Sequence, residues 1–251
     1  MDFSRFKSPS YHRHSITVHS YDIDFNSRLN VFSLFNYFQE IAWEHAGILR
    51  FGYNDLSENN QFWVLSRIRV EIEKLPRWTD EITLITYPRG VDGPFALRDY
   101  EIFDAKGERI IAGVSSWLIV NANTHRPVRP IELDLTNAVN DRSALPVNAS
   151  KVADVKQGPI SVDELIVKAS DIDVNYHVNN TRYVEWAYNT FPLDYHKENL
   201  LKVVEVNFLA EGKENNQLNV ERYQLSEKKD TVVIKRLDDS KELCRVYFEW
   251  M

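Results

Sequence analysis

The chain carries one nine-residue polar motif twice, and this repeat constrains its fold more than any other feature. Residues 22–30 read Asp-Ile-Asp-Phe-Asn-Ser-Arg-Leu-Asn, and residues 171–179 read Asp-Ile-Asp-Val-Asn-Tyr-His-Val-Asn, with five of nine positions identical. The offset of 149 residues is too long for a solenoid and indicates a duplicated domain. The second motif has His177 where the first has Arg28, and only the imidazole exchanges a proton near neutral pH.

Both motifs are surrounded by the same order of predicted elements. A segment with alternating apolar residues precedes each motif, and a helix with an apolar stripe follows it. Runs of alternating segments typical of antiparallel strands complete each half. This order predicts an α+β fold in which each half is a long helix wrapped by an antiparallel sheet. The predicted helices are 31–46 and 180–190, and the predicted strands are 15–19, 62–72, 81–87, 97–103, 109–120, 164–169, 201–209, 218–225, 231–236 and 243–250.

The pattern breaks between the two halves, where a polar stretch holds several prolines. This stretch is long for a connection inside a compact domain, so we interpret it as a link between domains. We predict an N-terminal domain over residues 1–125, an interdomain crossover over 126–158 and a C-terminal domain over 159–251.

Composition excludes several classes of protein. The net charge of −7 argues against bulk binding of nucleic acid. The single cysteine, Cys244, excludes an intramolecular disulfide and fits a reducing compartment. We find no apolar run of the roughly 20 residues that a membrane span needs, and no secretory signal. We therefore expect a cytoplasmic protein that binds neither nucleic acid nor membrane, with residues 1–14 as a polar, fraying arm that includes His12 and His14.

Residues 173–186 resemble the signature of the acyl-acyl carrier protein thioesterases of plants and bacteria. That signature, D-x-N-x-H-V-N-N-x-x-Y-x-x-W, is matched at every defined position, and the resemblance extends over essentially the whole chain. It implies a tandem (double) hot-dog fold. It also implies hydrolysis of the thioester of a fatty acyl chain on acyl carrier protein, which ends fatty acid synthesis. The plant members carry a transit peptide, which we do not find here.

The resemblance also implies the site residues. Carried over by position, Asp173, Asn175 and His177 would be catalytic. The family has a further acidic residue about 35 positions later, followed by a cysteine. Glu211 fits the acidic position, whereas Gly212 stands in place of the cysteine, which argues against a cysteine nucleophile.

The residues allow two mechanisms for thioester hydrolysis. Without a well-placed Ser or Cys, an activated water is the economical nucleophile, with Asp173 or Glu211 as general base and His177 orienting the water or moving the proton. The alternative is direct attack by Asp173 to form a transient anhydride. Asn175 could orient the base or hold the carbonyl. Cys244 lies on the apolar face of a predicted strand, so we expect a buried and inert thiol.

The start of the second helix supplies further candidates. The backbone N–H groups near Val178 and Asn179 are candidate oxyanion donors. Asn179 and Asn180 also suit helix capping, whereas Asp22 and Asp171 recur in both copies and are interpreted as shaping the turn. No His-x-x-x-His or Cys/His spacing occurs, so we expect neither metal nor cofactor.

Two alternatives to an acyl carrier protein thioesterase stay open. One is an acyl-CoA thioesterase, and the other is a non-catalytic acyl-binding hot-dog module, against which the intact catalytic set argues. We expect the second half to be catalytic and the first to house the acyl chain, in a monomer or a homodimer. Acyl carrier proteins are acidic, as this chain is, so docking requires a local basic patch. The candidates for it are Lys151, Lys156 and Arg182.

Overall fold

The structure is a computed structural model, and it describes residues 10–130, 139–140 and 142–251. The chain divides into two compact units whose boundary lies between Ala149 and Ser150. Both units combine helices with an antiparallel sheet, which is the predicted α+β class. In the described part of the chain, none of the helices has the length and apolarity of a membrane span.

The first unit begins with an edge strand, β1 (His12–Thr17), followed by helix α1 (Val31–Ile48) and the short helix α2 (Tyr53–Ser57). Its strands follow in an antiparallel sheet of order β1-β3-β4-β5-β2, with β6 paired to β5. These strands are β2 (Gln61–Ile72), β3 (Glu81–Asp92), β4 (Phe95–Phe103), β5 (Arg109–Asn121) and β6 (Pro127–Val128).

The second unit repeats this plan with β7 (Ser161–Ile166), helix α3 (Asn180–Tyr188) and helix α4 (Leu193–Glu198). Its sheet order, β7-β9-β10-β11-β8, matches that of the first unit strand for strand. The duplication predicted from the two motifs is therefore confirmed at the level of topology. The remaining strands are β8 (Leu201–Phe208), β9 (Gln217–Ser226), β10 (Lys229–Arg236) and β11 (Glu242–Trp250).

The apolar face of α1 lies in the hydrophobic core of the first unit. Phe38 is 1% exposed and stacks on Tyr100 of β4, with ring centroids 4.4 Å apart. A Cβ atom on Gly113 of β5 would lie 3.1 Å from the Phe38 ring, so the glycine lets the helix approach the sheet closely. Burying a side chain of this size contributes about 2–3 kcal/mol, which explains why the helix is fixed by its apolar face.

Several boundaries differ from the prediction: β3 extends to Asp92 rather than residue 87, and α3 ends at Tyr188 rather than residue 190. Helix α1 continues through Gly47 to Ile48 and ends where Arg50 adopts a left-handed φ of 63°. The strand before the second motif starts earlier and ends at Ile166, and one turn of 3-10 helix, Ala169–Asp171, then leads into the motif. The helices α2 and α4 and the two-residue strand β6 carried no signal strong enough to predict.

The prediction of a fraying N-terminal arm is wrong for residues 12–14. His12 pairs with Thr86 of β3 and His14 with Leu84, so these residues belong to the sheet. The strand predicted at 15–19 therefore begins at His12, because residues 12–14 alternate between half-buried and exposed positions without an alternation of apolar and polar residues. Residues 1–9 of the predicted arm lie outside the described residues.

Polar contacts bind the connection around the unit boundary to the nearest sheet. In the first unit the buried Asp99 carboxylate accepts the N–H of Ala144 at 2.8 Å. In the second unit Glu205 accepts the N–H of Ser150 at 2.6 Å, and Asn207 accepts that of Val152 at 2.8 Å. The described residues of the predicted crossover therefore follow the surface of one unit and then of the other, while residues 131–138 and 141 lie outside the described residues.

Candidate active site

The second motif folds into a tight loop between the 3-10 turn and α3. The N–H of Asp173 donates to the carbonyl of His177 at 2.8 Å, and the N–H of Tyr176 donates to the carbonyl of Asp173 at 3.0 Å. Ile172 and Val178 close the loop as an antiparallel bridge. Tyr176 occupies the left-handed region at φ 63°, a conformation that the turn requires and that most side chains avoid.

The carboxylate of Asp173 stabilises this loop from inside. Its Oδ1 accepts the backbone N–H of Asn175 at 2.8 Å and lies 3.4 Å from that of His177. The loop tip projects into solvent, with Val174 81% and Tyr176 84% exposed. Asn175 is also exposed, so its amide is open to a bound molecule.

The first motif folds in the same way. Asp24 accepts the backbone N–H groups of Asn26 at 2.8 Å and Arg28 at 2.9 Å. The N–H of Asp24 donates to the carbonyl of Arg28 at 2.7 Å, and Ser27 has a φ of 58°, as Tyr176 does in the second loop. The two loops share one backbone geometry, so the recurring aspartate and asparagine positions have a structural reason to be alike.

One further hydrogen bond sets the register between each loop and the segment after β2 or β8. The N–H of Leu29 donates to the carbonyl of Pro76 at 2.8 Å, and the N–H of Val178 donates to that of Gly212 at 2.9 Å. Pro76 and Gly212 therefore occupy equivalent places in the two units.

A histidine–carboxylate pair at the loop distinguishes the second motif from the first. His177 Nε2 lies 3.0 Å from Glu211 Oε2, and the two side chains are 25% and 43% exposed, so water reaches both. The equivalent positions in the first unit hold Arg28 and Leu75, and Arg28 donates instead to Asp24 Oδ2 at 3.3 Å. The structure thus brings together two of the residues expected at the site, in one unit only.

The two expected oxyanion donors are already engaged. The N–H of Val178 donates to the carbonyl of Gly212 at 2.9 Å, and that of Asn179 donates to the carbonyl of Asp171 at 2.9 Å. Gly212 lies outside the motif, whereas Asp171 is its first residue. Neither N–H is open to a substrate oxygen in this structure. The capping prediction for Asn179 is confirmed, since its side chain accepts the N–H of Thr181 at 2.9 Å.

The aspartates that open the motifs are structural, as predicted. Asp22 accepts the hydroxyl of Tyr37 at 2.7 Å. Asp171 accepts the N–H of Lys168 at 2.8 Å, which closes the 3-10 turn before the loop.

Comparisons with known proteins identify the family. The chain matches the acyl-ACP thioesterase N-terminal domain over residues 9–138 and the acyl-ACP thioesterase C-terminal domain over residues 156–251. The chain belongs to the acyl-ACP thioesterase family. The match covers both units and includes the loop and the His177–Glu211 pair.

Individual relatives agree with this assignment. An acyl-[acyl-carrier-protein] hydrolase of Cuphea viscosissima is 27% identical over 199 residues, covering 72% of this chain and 47% of the relative. A palmitoyl-acyl carrier protein thioesterase of Arabidopsis thaliana is 26% identical over 218 residues, covering 79% of this chain and 52% of the relative. The chain spans about half the length of the curated relatives it matches.

Solved structures confirm the predicted tandem hot-dog fold. The crystal structure of an acyl-ACP thioesterase from Bacteroides thetaiotaomicron superimposes with a TM-score of 0.88 at 26% identity, covering 96% of this chain and 98% of the other. The 12:0-ACP thioesterase from Umbellularia californica has a TM-score of 0.87 at 21% identity, covering 96% and 97%, which shows the shared fold.

Gly212, where the acyl-ACP thioesterase signature leads us to expect a cysteine, is fixed on both sides of its backbone. Its N–H donates to the hydroxyl oxygen of Tyr183 at 2.9 Å, while its carbonyl accepts from Val178. A Cβ atom at this position would lie 2.6 Å from that hydroxyl and 3.0 Å from Val178 Cγ2. Burial raises the pKa of Tyr183, so its hydroxyl stays neutral and serves as a packing and hydrogen-bonding group.

Cys244 lies on β11, fully buried between Phe208 of β8 and Ile234 of β10. Burial raises the pKa of its thiol well above the ordinary value. A thiolate, which is the nucleophilic form, is therefore scarce at neutral pH. The expectation of a buried thiol is confirmed.

The close contact at Gly212 predicts a coupled effect on stability. Gly212→Ala should lower the free energy of unfolding by about 1–3 kcal/mol, because the new methyl group meets the Tyr183 hydroxyl. Tyr183→Phe alone should also destabilise, because it leaves a buried N–H unpaired. The double variant should cost less than the sum, with a coupling of about 1 kcal/mol, since one change removes the clash made by the other. Denaturant unfolding of the four proteins gives this value.

Gly158 provides the matched control for this cycle. A Cβ atom there meets nothing within 4 Å, so Gly158→Ala should be neutral or slightly stabilising. Strict additivity of the Gly212 and Tyr183 changes would show that the two groups do not constrain each other.

Because the Cys244 thiol is buried, we predict that it is alkylated slowly in the native protein and that turnover does not require it. Iodoacetamide should label Cys244 slowly in the native protein and rapidly in denaturant, as followed by intact mass, because only unfolding exposes the sulfur. Cys244→Ala should retain most turnover. If the native protein is labelled as fast as the denatured protein and loses turnover on labelling, the thiol is reactive and this prediction is wrong.

Proposed function

We propose that this protein hydrolyses the thioester of a fatty acyl chain carried on acyl carrier protein and releases a free fatty acid. The observation that carries the proposal is the His177–Glu211 pair, with 3.0 Å between Nε2 and Oε2, beside a loop that matches the family signature. Relatives from Cuphea viscosissima and Umbellularia californica are named acyl-[acyl-carrier-protein] hydrolase and dodecanoyl-[acyl-carrier-protein] hydrolase. These names support acyl carrier protein as the thiol component of the thioester substrate.

The pair suits activation of water. A water molecule at the exposed pair gives a proton to the Glu211 carboxylate or, through it, to His177, while its oxygen attacks the carbonyl carbon of the thioester. The tetrahedral intermediate then breaks its C–S bond, and the proton passes to the departing sulfur. The products are the free fatty acid and the thiol of the carrier.

Asp173 retains one free acceptor for a direct role. Its Oδ1 is engaged by the loop, whereas Oδ2 accepts no hydrogen bond from the described residues. We keep Asp173 as a second carboxylate of the site, either as the base that receives the proton or as the nucleophile of a transient anhydride. The shared loop of the first unit shows that turn formation alone also requires an aspartate, so charge and turn must be tested separately.

Asn175 is the proposed oxyanion donor. The N–H groups of Val178 and Asn179 already donate to backbone carbonyls. The side-chain amide of Asn175 is exposed on the same loop and can donate to a substrate oxygen. Such a donor contributes about 3 kcal/mol to the rate when it is aimed at the developing charge.

The first unit is proposed to house the acyl chain, because it keeps the loop but lacks the reacting pair. Docking of an acidic carrier is less well supported. Arg182 lies 3.4 Å from Asp171 and donates to Glu185 at 2.6 Å, and Lys151 lies 3.3 Å from Asp154, so both cations are partly neutralised. The cytoplasmic location, and a monomer or homodimer, stay predictions.

An acyl-CoA thioesterase is the second candidate, because the same pair would cleave either thioester. Side-by-side assays on an acyl carrier protein thioester and the matching acyl-CoA decide between them. A higher kcat/KM on the carrier protein substrate is expected here. Hydrolysis of acyl-CoA alone would assign the chain to the other carrier, and hydrolysis of neither would leave a binding module.

The reacting pair predicts an asymmetry between the two copies. His177→Ala should lower kcat by about 10²–10⁴-fold, because it removes the group that moves or positions the proton. Arg28→Ala, the same truncation at the equivalent loop position, should keep most turnover. Steady-state assays on acyl carrier protein thioesters measure both, and equal losses in the two variants would contradict the assignment of the site to the second unit.

The loop geometry allows the charge of Asp173 to be removed without removing the turn. In Asp173→Asn the amide oxygen still accepts the N–H groups of Asn175 and His177, so folding should persist while kcat falls by about 10²-fold or more. Asp24→Asn makes the same change in the first loop and should leave turnover within a few-fold. If both variants keep full kcat and similar melting temperatures, Asp173 serves the turn alone.

A further inference from the structure

Two histidines on the edge strand face one carboxylate on the helix beside it. His12 and His14 are two residues apart on β1, so they project from the same face of the strand. Glu44 lies in the last turns of α1, a different element of the same unit. The cluster lies wholly within the first unit and takes no part in the site proposed above.

Both histidines contact the same carboxylate oxygen of Glu44. Glu44 Oε2 lies 3.0 Å from His12 Nε2 and 2.6 Å from His14 Nε2, and the three ligand atoms lie within 4.8 Å of one another. In the described part of the chain, no other group of three His, Cys, Asp or Glu side chains brings ligand atoms this close. Seven histidines occur in the whole sequence, so this concentration of two with a carboxylate is distinctive.

These separations are close to those of a coordinated metal. Zinc bonds to imidazole nitrogen and carboxylate oxygen at about 2.0–2.2 Å, which places neighbouring tetrahedral ligands about 3.3 Å apart. Glu44 and His14 would need to separate by several tenths of an ångström, which small side-chain rotations supply. The three side chains are 24–35% exposed, so an ion and a fourth ligand can reach the cluster from solvent.

The surroundings hold the His12 ring in place. The buried His45 stacks on it at 5.8 Å between centroids with an interplanar angle of 23°, and His14 meets it edge-on at 5.0 Å. His45 is itself fixed, since its Nδ1 lies 3.1 Å from Nη1 of the buried Arg98. Support of this kind orients a metal ligand before the ion binds.

We propose that His12, His14 and Glu44 form a three-ligand site for a transition-metal dication, with Zn²⁺ the best match and the fourth position open to solvent. Two imidazoles and one carboxylate suit zinc, cobalt, nickel and copper. They do not suit Mg²⁺ and Ca²⁺, which prefer oxygen ligands alone. The ion would join the edge strand β1 to helix α1. Its expected effect is therefore stabilisation of the first unit.

The test uses the full chain without a polyhistidine tag, stripped of metal by a chelator and titrated with ZnCl2. Calorimetry should show one ion per chain, and the unfolding temperature should rise by about 5 °C or more at a hundredfold excess over Kd. Co²⁺ in place of Zn²⁺ should give the visible absorption of a low-symmetry nitrogen–oxygen site. The same experiment with MgCl2 should give neither signal.

Three variants and one matched control assign the ligands. His12→Gln, His14→Gln and Glu44→Gln should each weaken Zn²⁺ binding by at least about 10-fold, because each removes a ligand or its charge. His19→Gln is the control, since His19 also faces a carboxylate, 3.8 Å from Asp22, but has no second imidazole. That variant should bind Zn²⁺ as the unchanged chain does.

Three outcomes overturn the proposal. One is the absence of saturable Zn²⁺ binding to the unchanged chain, which needs no variant to fold. Another is an affinity that is the same in all three ligand variants. The third is a loss of binding in His19→Gln equal to that in His14→Gln, which would indicate scattered surface histidines rather than a built site.

Discussion

In both units an aspartate side chain accepts the backbone N–H groups two and four residues further along, and the candidate site depends on these hydrogen bonds. They offset the cost of one residue at positive φ, Ser27 in the first loop and Tyr176 in the second, which is of order 1–3 kcal/mol each. With the turn fixed, the residue after the strained position leaves the loop in a defined direction. In the second unit that residue is His177, and the direction leads to Glu211.

The two loops share one backbone geometry and differ in the side chains that they carry. The Arg28 side chain turns back onto Asp24, with Nε 3.3 Å from Oδ2, so its charge is paired within the first loop. The position equivalent to Glu211 holds Leu75, which provides no proton acceptor. Two substitutions therefore separate a loop with an imidazole–carboxylate pair from a loop without one, while the backbone hydrogen bonds remain the same. The shared hydrogen bonds therefore allow the proposed chemistry to differ between two loops of the same backbone geometry.

The sequence allowed the element order to be predicted because that order rests on local patterns. Alternation, the helical stripe of α1 and the repeated motif depend on neighbouring residues, and most predicted strands agree with the structure to within a few positions. The errors come from distant partners. The N–H of Val178 is consumed by the carbonyl of Gly212, far outside the motif, and the first residues of β1 are in a strand because they pair with β3 rather than because of their own composition.

The direction of the backbone at Gly212 explains why a carboxylate, rather than a thiol, faces the histidine in this chain. A side chain at position 212 would start among Tyr183, Val178 and Leu243, in the packed interior. Glu211, one residue earlier, is exposed and reaches His177, with 3.0 Å between Oε2 and Nε2. A cysteine at 212 would therefore begin in the space now filled by the Tyr183 hydroxyl. A glycine at this position avoids that overlap, and the neighbouring carboxylate still contacts the imidazole.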